Sequence, residues 1–96
     1  MNLPIRIKLD LTNLARKYDV DKILLFGSRA REDNGEKSDV DIAVYGCHDF
    51  TKFSFDVEEK VWTLLTFDVV DMDKDISDEL KSEINRDGVV IYEKVR

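Results

Sequence analysis

Two aspartates, Asp39 and Asp41, stand at the start of an apolar segment that is typical of a buried strand. Residues two apart in a strand point to the same face, so the two carboxylates are expected side by side, with Cα atoms about 6.5 Å apart. At that distance they repel each other and lose hydration beside an apolar sheet. A divalent cation relieves both effects, and magnesium takes one or two carboxylates together with phosphate oxygens and water.

A third acid, Asp68, interrupts a later apolar run between Phe67 and Val69. A lone carboxylate in a buried strand costs roughly several kcal/mol unless it is paired or metal-bound. If Asp68 lies on a neighbouring strand level with Asp39 and Asp41, three carboxylates could hold two metal ions roughly 3.5–4 Å apart for an in-line displacement at phosphorus. The alternatives are that the Asp-x-Asp pair discourages edge aggregation and that Asp68 pairs with a core lysine or arginine.

A Gly-Ser pair, Gly27 and Ser28, follows the apolar run that precedes these acids. Glycine lets the backbone approach a ligand closely and adopt positive φ, and the turn after it points free amide N–H groups outward. These groups and the Ser28 hydroxyl could bind a phosphate, and Arg29 or Arg31 could add charge-assisted contacts. The alternative is a plain strand-to-helix turn with a serine cap. The glycine pattern matches neither a Walker A loop nor a dinucleotide fingerprint.

The rest of the chain must supply the elements that position these residues. Apolar periodicity predicts the order α-β-β-α-β-α-β, and Ser28 is expected to cap a short helical turn through Glu32. The predicted helices are residues 4–18, 53–65 and 76–84, and the predicted strands are 22–26, 40–45, 66–72 and 89–93. This order indicates an α/β (α+β) fold, a small mixed sheet of about four strands with helices packed on it. The helix between the second and third strands favours parallel pairing, while the strand order is not readable.

Length and charge limit the classes of partner. The 96 residues suffice for one small domain, predicted over residues 1–96, and 43% hydrophobic with 38% charged residues is typical of a globular protein. No apolar run approaches the roughly 20 residues that cross a bilayer, so no membrane association is expected. The net charge of −6 argues against general nucleic-acid binding, since the clearest basic cluster is only Arg29, Arg31 and Lys37. The single cysteine fits a reducing cytoplasm.

Two other groups of residues could bind something. Cys47 and His48 could form half of a zinc site, but the sequence has no second cysteine or histidine to complete one, so a surface pair at a strand end is expected. The aromatic residues around the second helix are Phe50, Phe53, Phe55 and Trp62. Phe53 falls on the predicted core face. The other three either pack at the core or its rim, or form an exposed surface for a partner.

The combined pattern resembles the minimal nucleotidyltransferases of the DNA polymerase beta superfamily. The resemblance rests on FGSRAREDNGEKSDVDIAV with the later TFDVVD: a hydrophobic-Gly-Ser turn, about ten residues, Asp-x-Asp on a strand and a third aspartate on a following strand. The segment ELKSEINRDGVVIYE is also similar to the family's closing helix and strand. The resemblance therefore covers nearly the whole chain, and it implies a polymerase beta palm-like fold.

The resemblance also implies roles for the residues. Gly27 and Ser28 would bind the nucleotide triphosphate, Asp39 and Asp41 would hold magnesium, with two ions expected, and Asp68 would complete the site and could activate the incoming hydroxyl. The reaction would transfer a nucleoside monophosphate to that hydroxyl with loss of pyrophosphate. The metal ions would stabilise the charge on the attacking and leaving oxygens.

Small stand-alone members of the superfamily resemble antitoxins encoded beside a helical HEPN-domain toxin ribonuclease, and some place AMP from ATP on a tyrosine of that partner. The ten residues between Ser28 and Asp39 match this group. The resemblance thus implies a protein adenylyltransferase that acts as an antitoxin. The alternatives are a non-catalytic antitoxin that neutralises its partner by contact, and an enzyme that modifies a small molecule such as an aminoglycoside. The intact acids favour the enzyme, because a purely binding role would not need a carboxylate inside a strand.

Overall fold

The computed structural model describes residues 1–61 and 63–95. The predicted α/β class is confirmed, and the elements follow the predicted order, except that the short turn expected after the first strand is a helix, so helices and strands alternate. The elements are α1 (Ile5–Lys17), β1 (Lys22–Phe26), α2 (Gly27–Arg31), β2 (Val40–Tyr45), α3 (Phe50–Lys60), β3 (Phe67–Asp71), α4 (Asp78–Asp87) and β4 (Val89–Glu93). None of the helices in this described part is long and apolar enough to cross a membrane. The single-domain organisation over residues 1–96 stays a prediction.

The four strands form one mixed sheet in the order β3-β2-β1-β4. β1 runs antiparallel to both β2 and β4, whereas β2 and β3 are parallel. The parallel pair agrees with the expectation from the intervening helix, because parallel neighbours need a crossover connection. The starts of β2 and β3 therefore meet at the same end of the sheet.

The larger core lies between one face of the sheet and helices α1 and α3. Phe53, predicted on the core face, is fully buried there, as are Leu11 of α1 and Ile42 of β2. On the other face, α4 is the one helix among the described residues that covers the sheet, with Ile84 packed against Phe26 and Ala43. This second face is covered less completely, which leaves room for a site on it.

Helix α3, which the sequence predicts over residues 53–65, differs from this prediction at both ends. It begins at Phe50, where the Asp49 side chain accepts a hydrogen bond from the Lys52 amide at 3.4 Å, and it ends at Lys60 instead of continuing to Leu65. The apolar spacing continued past the true end by coincidence, since the residues after Lys60 include β-branched Val61 and threonines, which are poor helix formers. Leu64 is fully exposed. Trp62 lies outside the described residues.

A buried carboxylate joins α1 to α3. Asp56 accepts a hydrogen bond from the Tyr18 hydroxyl and pairs with Lys60 at 3.3 Å and Lys17 at 3.6 Å. The Tyr18 hydrogen bond is the main reason that the pKa of Asp56 lies below its usual range, with Lys60 and Lys17 adding to the effect. The two helices are therefore held together by a charge as well as by apolar packing.

This carboxylate should make stability depend on acidity. An acid whose folded-state pKa lies below its unfolded value of about 3.9 stabilises the protein above that pH, and the contribution is lost as the pH falls through the folded-state pKa. We therefore expect Asp56→Asn to lower the free energy of unfolding at pH 7, with a difference from wild type that shrinks towards pH 2. Urea unfolding at several pH values measures it. Glu58→Gln, at an exposed acid of the same helix, serves as control; an Asp56→Asn difference that stays constant with pH would contradict the assignment.

Candidate active site

The parallel pairing of β2 and β3 brings the predicted acids together. Asp41 and Asp68 are direct partners in the register of the two strands, and Asp39 stands one residue before β2. Paired residues of neighbouring strands share a face and lie about 4.8 Å apart, and residues two apart in one strand share a face as well. The three residues therefore share one face at one end of the sheet, the face that carries α4. Asp39 and Asp68 are exposed, whereas Asp41 is half-buried.

The neighbouring carboxylates change the pKa of Asp41. Partial burial, followed by repulsion from Asp68 and Asp39, raises the pKa of Asp41 to about 6. Glu83 adds to the repulsion and Arg31 opposes it. A carboxylate crowded by like charges in this way gains from a nearby cation.

The donor set fits magnesium better than a metal that requires a closed protein cage. Within residues 1–61 and 63–95, no three His, Cys, Asp or Glu side chains are grouped closely enough to enclose a metal ion by themselves. Magnesium instead needs only one or two carboxylates and completes its octahedron with phosphate oxygens and water. Asp41 with Asp39 or Asp68 can supply that minimal set.

Gly27 lies directly against the carboxylate of Asp41. Its φ of +72° is in the left-handed region that favours glycine, and a Cβ at this position would overlap Asp41 Oδ2. The antiparallel register explains the contact, because Phe26, the residue before Gly27, pairs with Asp41. The sheet thus places the Gly-Ser turn and the acids next to each other.

The turn itself differs from its prediction in one respect. Ser28 does not cap the short helix, because α2 already begins at Gly27, after an extended Phe26 and without a side-chain cap. Ser28 is the second helical residue and is half-buried. Its hydroxyl is therefore not committed to capping, and its predicted role at a phosphate stays a prediction.

The two arginines of α2 point to different surroundings. Arg31 donates to Asp33 at 3.0 Å and to Asp87 of α4 at 2.9 Å, and 38% of its side chain is exposed. Arg29 is only 3% exposed, and its guanidinium nitrogens donate to backbone carbonyls. Of the two predicted phosphate contacts, the structure brings only Arg31 to the open side of the site.

Sequence reasoning missed Glu83 as a neighbour of the site. It is half-buried on α4, and its charge contributes to the raised pKa of Asp41. Asp87, which pairs with Arg31, lies one turn further along the same helix. The only available signal was the spacing of four between these two acids, which puts them on one helix face. No local pattern indicates that α4 covers this end of the sheet.

The other candidate residues lie apart from the acids. The expected surface pair is wrong for Cys47, which is buried against the larger core, whereas His48 is exposed. Phe50 packs partly against the larger core, whereas 61% of Phe55 is exposed. Phe55 therefore remains the described member of the aromatic group that could contact a partner.

The family follows from comparison with known sequences. The model of the family described as "Polymerase beta, Nucleotidyltransferase" matches residues 10–96. The chain belongs to this family. The predicted resemblance and the predicted class of enzyme, a nucleotidyltransferase, are thereby confirmed.

Individual relatives agree with this assignment. "Putative protein adenylyltransferase MJ0128" of Methanocaldococcus jannaschii is 46% identical over 54 residues, which are 54% of this chain and 54% of that protein. The chain thus spans about half the length of this relative. Among solved structures, a toxin–antitoxin with AMP-PNP superposes with a TM-score of 0.70, and a mutant of the toxin–antitoxin MntA-HpeT with 0.68. Each is 20% identical, with 91% of this chain and 73% of the other covered, so these two likenesses show the fold alone.

The crowding of charge around Asp41 predicts a gain in stability when that charge is removed. In EDTA, we expect Asp41→Asn to raise the free energy of unfolding by about 1 kcal/mol, after allowance for solvent screening of a half-buried group. This corresponds to a Tm about 4–8 °C above that of wild type. Magnesium should raise the Tm of wild type but not of the variant. Calorimetry with and without magnesium measures both effects.

Glu36→Gln removes an exposed acid from the loop before β2, away from any helix terminus, and is the matched control. It should leave the melting temperature nearly unchanged under both conditions. A lower Tm for Asp41→Asn in EDTA would show that the carboxylate stabilises the metal-free protein, contrary to the electrostatic argument.

Proposed function

We propose that this chain is a magnesium-dependent protein adenylyltransferase that acts as an antitoxin. It transfers AMP from ATP to a hydroxyl, and the acceptor is a tyrosine of a HEPN-type toxin. The observation that carries the proposal is the direct pairing of Asp41 with Asp68 beside the Gly27 turn. This arrangement sets two carboxylates next to a turn whose backbone can approach a phosphate.

Asp39 and Asp41 would hold two magnesium ions together with the oxygens of the triphosphate. When bound, these ions supply the positive charge that stabilises the attacking and leaving oxygens. Gly27 and Ser28 bind the phosphates, and Arg31 can add a charge-assisted contact from the open side. The acceptor oxygen bonds to the α-phosphorus as the bond to the β-phosphate breaks. Asp68 takes the hydroxyl proton, and pyrophosphate leaves.

The exposure of Asp68 supports a protein acceptor. Asp68 lies on β3, an edge strand, and is exposed, whereas Asp41 is half-buried against Gly27. The nucleotide side of the site is therefore formed within the chain, and the acceptor side is open. The name of the M. jannaschii relative, a protein adenylyltransferase, and the toxin–antitoxin with AMP-PNP point the same way. Because the reaction consumes ATP, the proposal includes a cytoplasmic location.

A non-catalytic antitoxin that neutralises its partner by contact is the second candidate. The exposed side chains of Phe55 and Leu64 favour it, because large apolar groups in solvent often mark a binding surface. The two candidates are compatible in one protein, and only the first requires the acids.

The decisive experiment combines the purified chain, the protein encoded by the adjacent gene as the candidate toxin, ATP and magnesium, and reads intact masses. We expect one AMP on the toxin, located on a tyrosine by tandem mass spectrometry. Asp39→Asn with Asp41→Asn should lower the rate at least about 100-fold, because the metal-binding charge is lost, while the circular dichroism spectrum is retained. Asp71→Asn, at the other end of β3, should transfer AMP at nearly the wild-type rate.

The hypothesis of a non-catalytic antitoxin makes a different prediction for the same mixtures. If no adduct forms on the toxin, and the complex forms equally well with wild type and the double variant, the enzymatic proposal is wrong. An adduct that forms as fast with the double variant would show instead that these acids do not carry the reaction.

A further inference from the structure

Arg29 is a buried charge that forms no ion pair within the described part of the chain. Only 3% of the residue is exposed. Its Nε donates to the carbonyl oxygen of Ser38 at 3.0 Å, one Nη to that of Asn2 at 3.2 Å and the other to that of Glu36 at 3.1 Å. A buried charge is costly unless hydrogen bonds satisfy it, and these three carbonyl dipoles do so. The planar fork of arginine can reach all three at once, which the single ammonium of lysine does not.

The three carbonyl groups belong to segments that surround the site. The carbonyl of Ser38 forms the peptide bond with Asp39, so its hydrogen bond orients the peptide plane from which Asp39 extends. Glu36 belongs to the same loop, two residues earlier. Asn2 belongs to the N-terminal segment, and its amide donates back to the Arg29 carbonyl at 2.8 Å. A single side chain therefore ties α2 both to the loop before β2 and to the start of the chain.

The helix that carries Arg29 also carries the Gly-Ser turn. Gly27, two residues before Arg29, lies against the carboxylate of Asp41. Helix α2 thus contacts Asp41 through Gly27 and holds the peptide of Asp39 through Arg29. The distance between the turn and the Asp-x-Asp pair is fixed at two points rather than one.

The loop has enough internal structure to survive the loss of Arg29. The Gly35 amide donates to the Ser38 hydroxyl at 2.9 Å, and the Ser38 amide donates back to the Gly35 carbonyl at 3.2 Å. This small turn closes on itself. Removing the guanidinium would release the turn from α2, so the turn and its Ser38 amide hydrogen bond would open more often while the rest of the fold keeps its contacts, and the damage should be local.

We propose that Arg29 is a positioning residue that fixes Asp39 relative to the Gly-Ser turn, and so sets magnesium affinity and the rate of transfer without touching the nucleotide. The proposal rests on the proposed function in so far as Asp39 binds magnesium. It replaces the phosphate contact expected from the sequence, because a buried guanidinium whose three nitrogens are engaged by carbonyls does not face a ligand in the open site.

The test compares Arg29→Lys and Arg29→Ala with wild type by nuclear magnetic resonance. Amide hydrogen exchange of Ser38 should become at least about tenfold faster in both variants, while the amides of α1 and α3 keep their protection. Titration with magnesium alone, followed through the amide shift of Asp41, should show at least about tenfold weaker binding. Guanidinium ion at millimolar concentration should fill the space left in Arg29→Ala and partly restore both properties. Methylammonium should not.

Two controls separate positioning from general stability. Arg6→Ala removes an arginine whose side chain is 75% exposed on α1, and should change nothing measured here. Val57→Ala creates a cavity in the larger core and supplies a variant of lowered global stability. It should leave Ser38 exchange and magnesium binding at wild-type values under conditions in which it stays folded.

The kinetics of AMP transfer independently distinguish a positioning role of Arg29 from a phosphate contact. Positioning predicts that kcat falls at least about tenfold for Arg29→Lys, while KM for ATP changes less than about threefold. A raised KM with unchanged kcat and unchanged Ser38 exchange would overturn the proposal in favour of a phosphate contact. If amides throughout the Arg29 variants exchange faster, and guanidinium ion does not restore their protection, the proposal is overturned in favour of a merely structural role. If wild type transfers no AMP, the proposed function fails, whereas exchange and the magnesium titration still decide the role of Arg29.

Discussion

The parallel pairing of β2 with β3 is the constraint on which the site depends. It sets Asp41 level with Asp68 and, through the same strands, places Val40 and Ile42 in the larger core. Because side chains alternate, each strand supplies the core with one face and the site with the other. A slip of one residue would bury Asp41 and expose Ile42, so the apolar face enforces the register that the chemistry requires. The repulsion among the acids is tolerated because the burial on the opposite face outweighs it.

The crossover that permits this pairing also leaves the face with the candidate site open. Helix α3 joins β2 to β3 and packs with α1 on the far side of the sheet, where Asp56 accepts a hydrogen bond from Tyr18 between the two helices. In the part of the chain that the structure describes, α4 is the helix that covers the near side, and it packs on Phe26 and Ala43. Gly27, at the end of β1, lies against Asp41 from the neighbouring strand. The turn, the acids and the open edge of β3 follow from a sheet whose two faces are covered unequally.

Much of this was predictable from local patterns, and the limits have physical causes. The acids at 39, 41 and 68, the glycine at 27 and the parallel pair follow from alternation and crossover length, which are short-range properties. Strand order, the approach of Glu83 and the inward direction of Arg29 depend on contacts between residues distant in sequence, which no local pattern encodes. The predicted end of α3 is wrong because apolar residues after Lys60 continue a helical spacing that β-branched Val61 and the nearby threonines do not sustain. The roles of the site residues stay predictions that the geometry supports.

The unequal exposure of the acids bears on what the acceptor is. Asp41 is half-buried against Gly27, so its carboxylate has little room to move. This side of the candidate site therefore suits a small ligand of constant shape, such as the triphosphate of the proposed function. Asp68 is exposed on an edge strand, where water competes with any acceptor. Transfer to a hydroxyl instead of to water requires that water be excluded, and a surface large enough to cover Asp68 must do this. An enzyme acting on a free small molecule would need walls of its own around this carboxylate. In the proposed function, a protein acceptor would supply those walls, and the exposure of Asp68 in the described part of the chain is the physical reason for proposing a macromolecular partner.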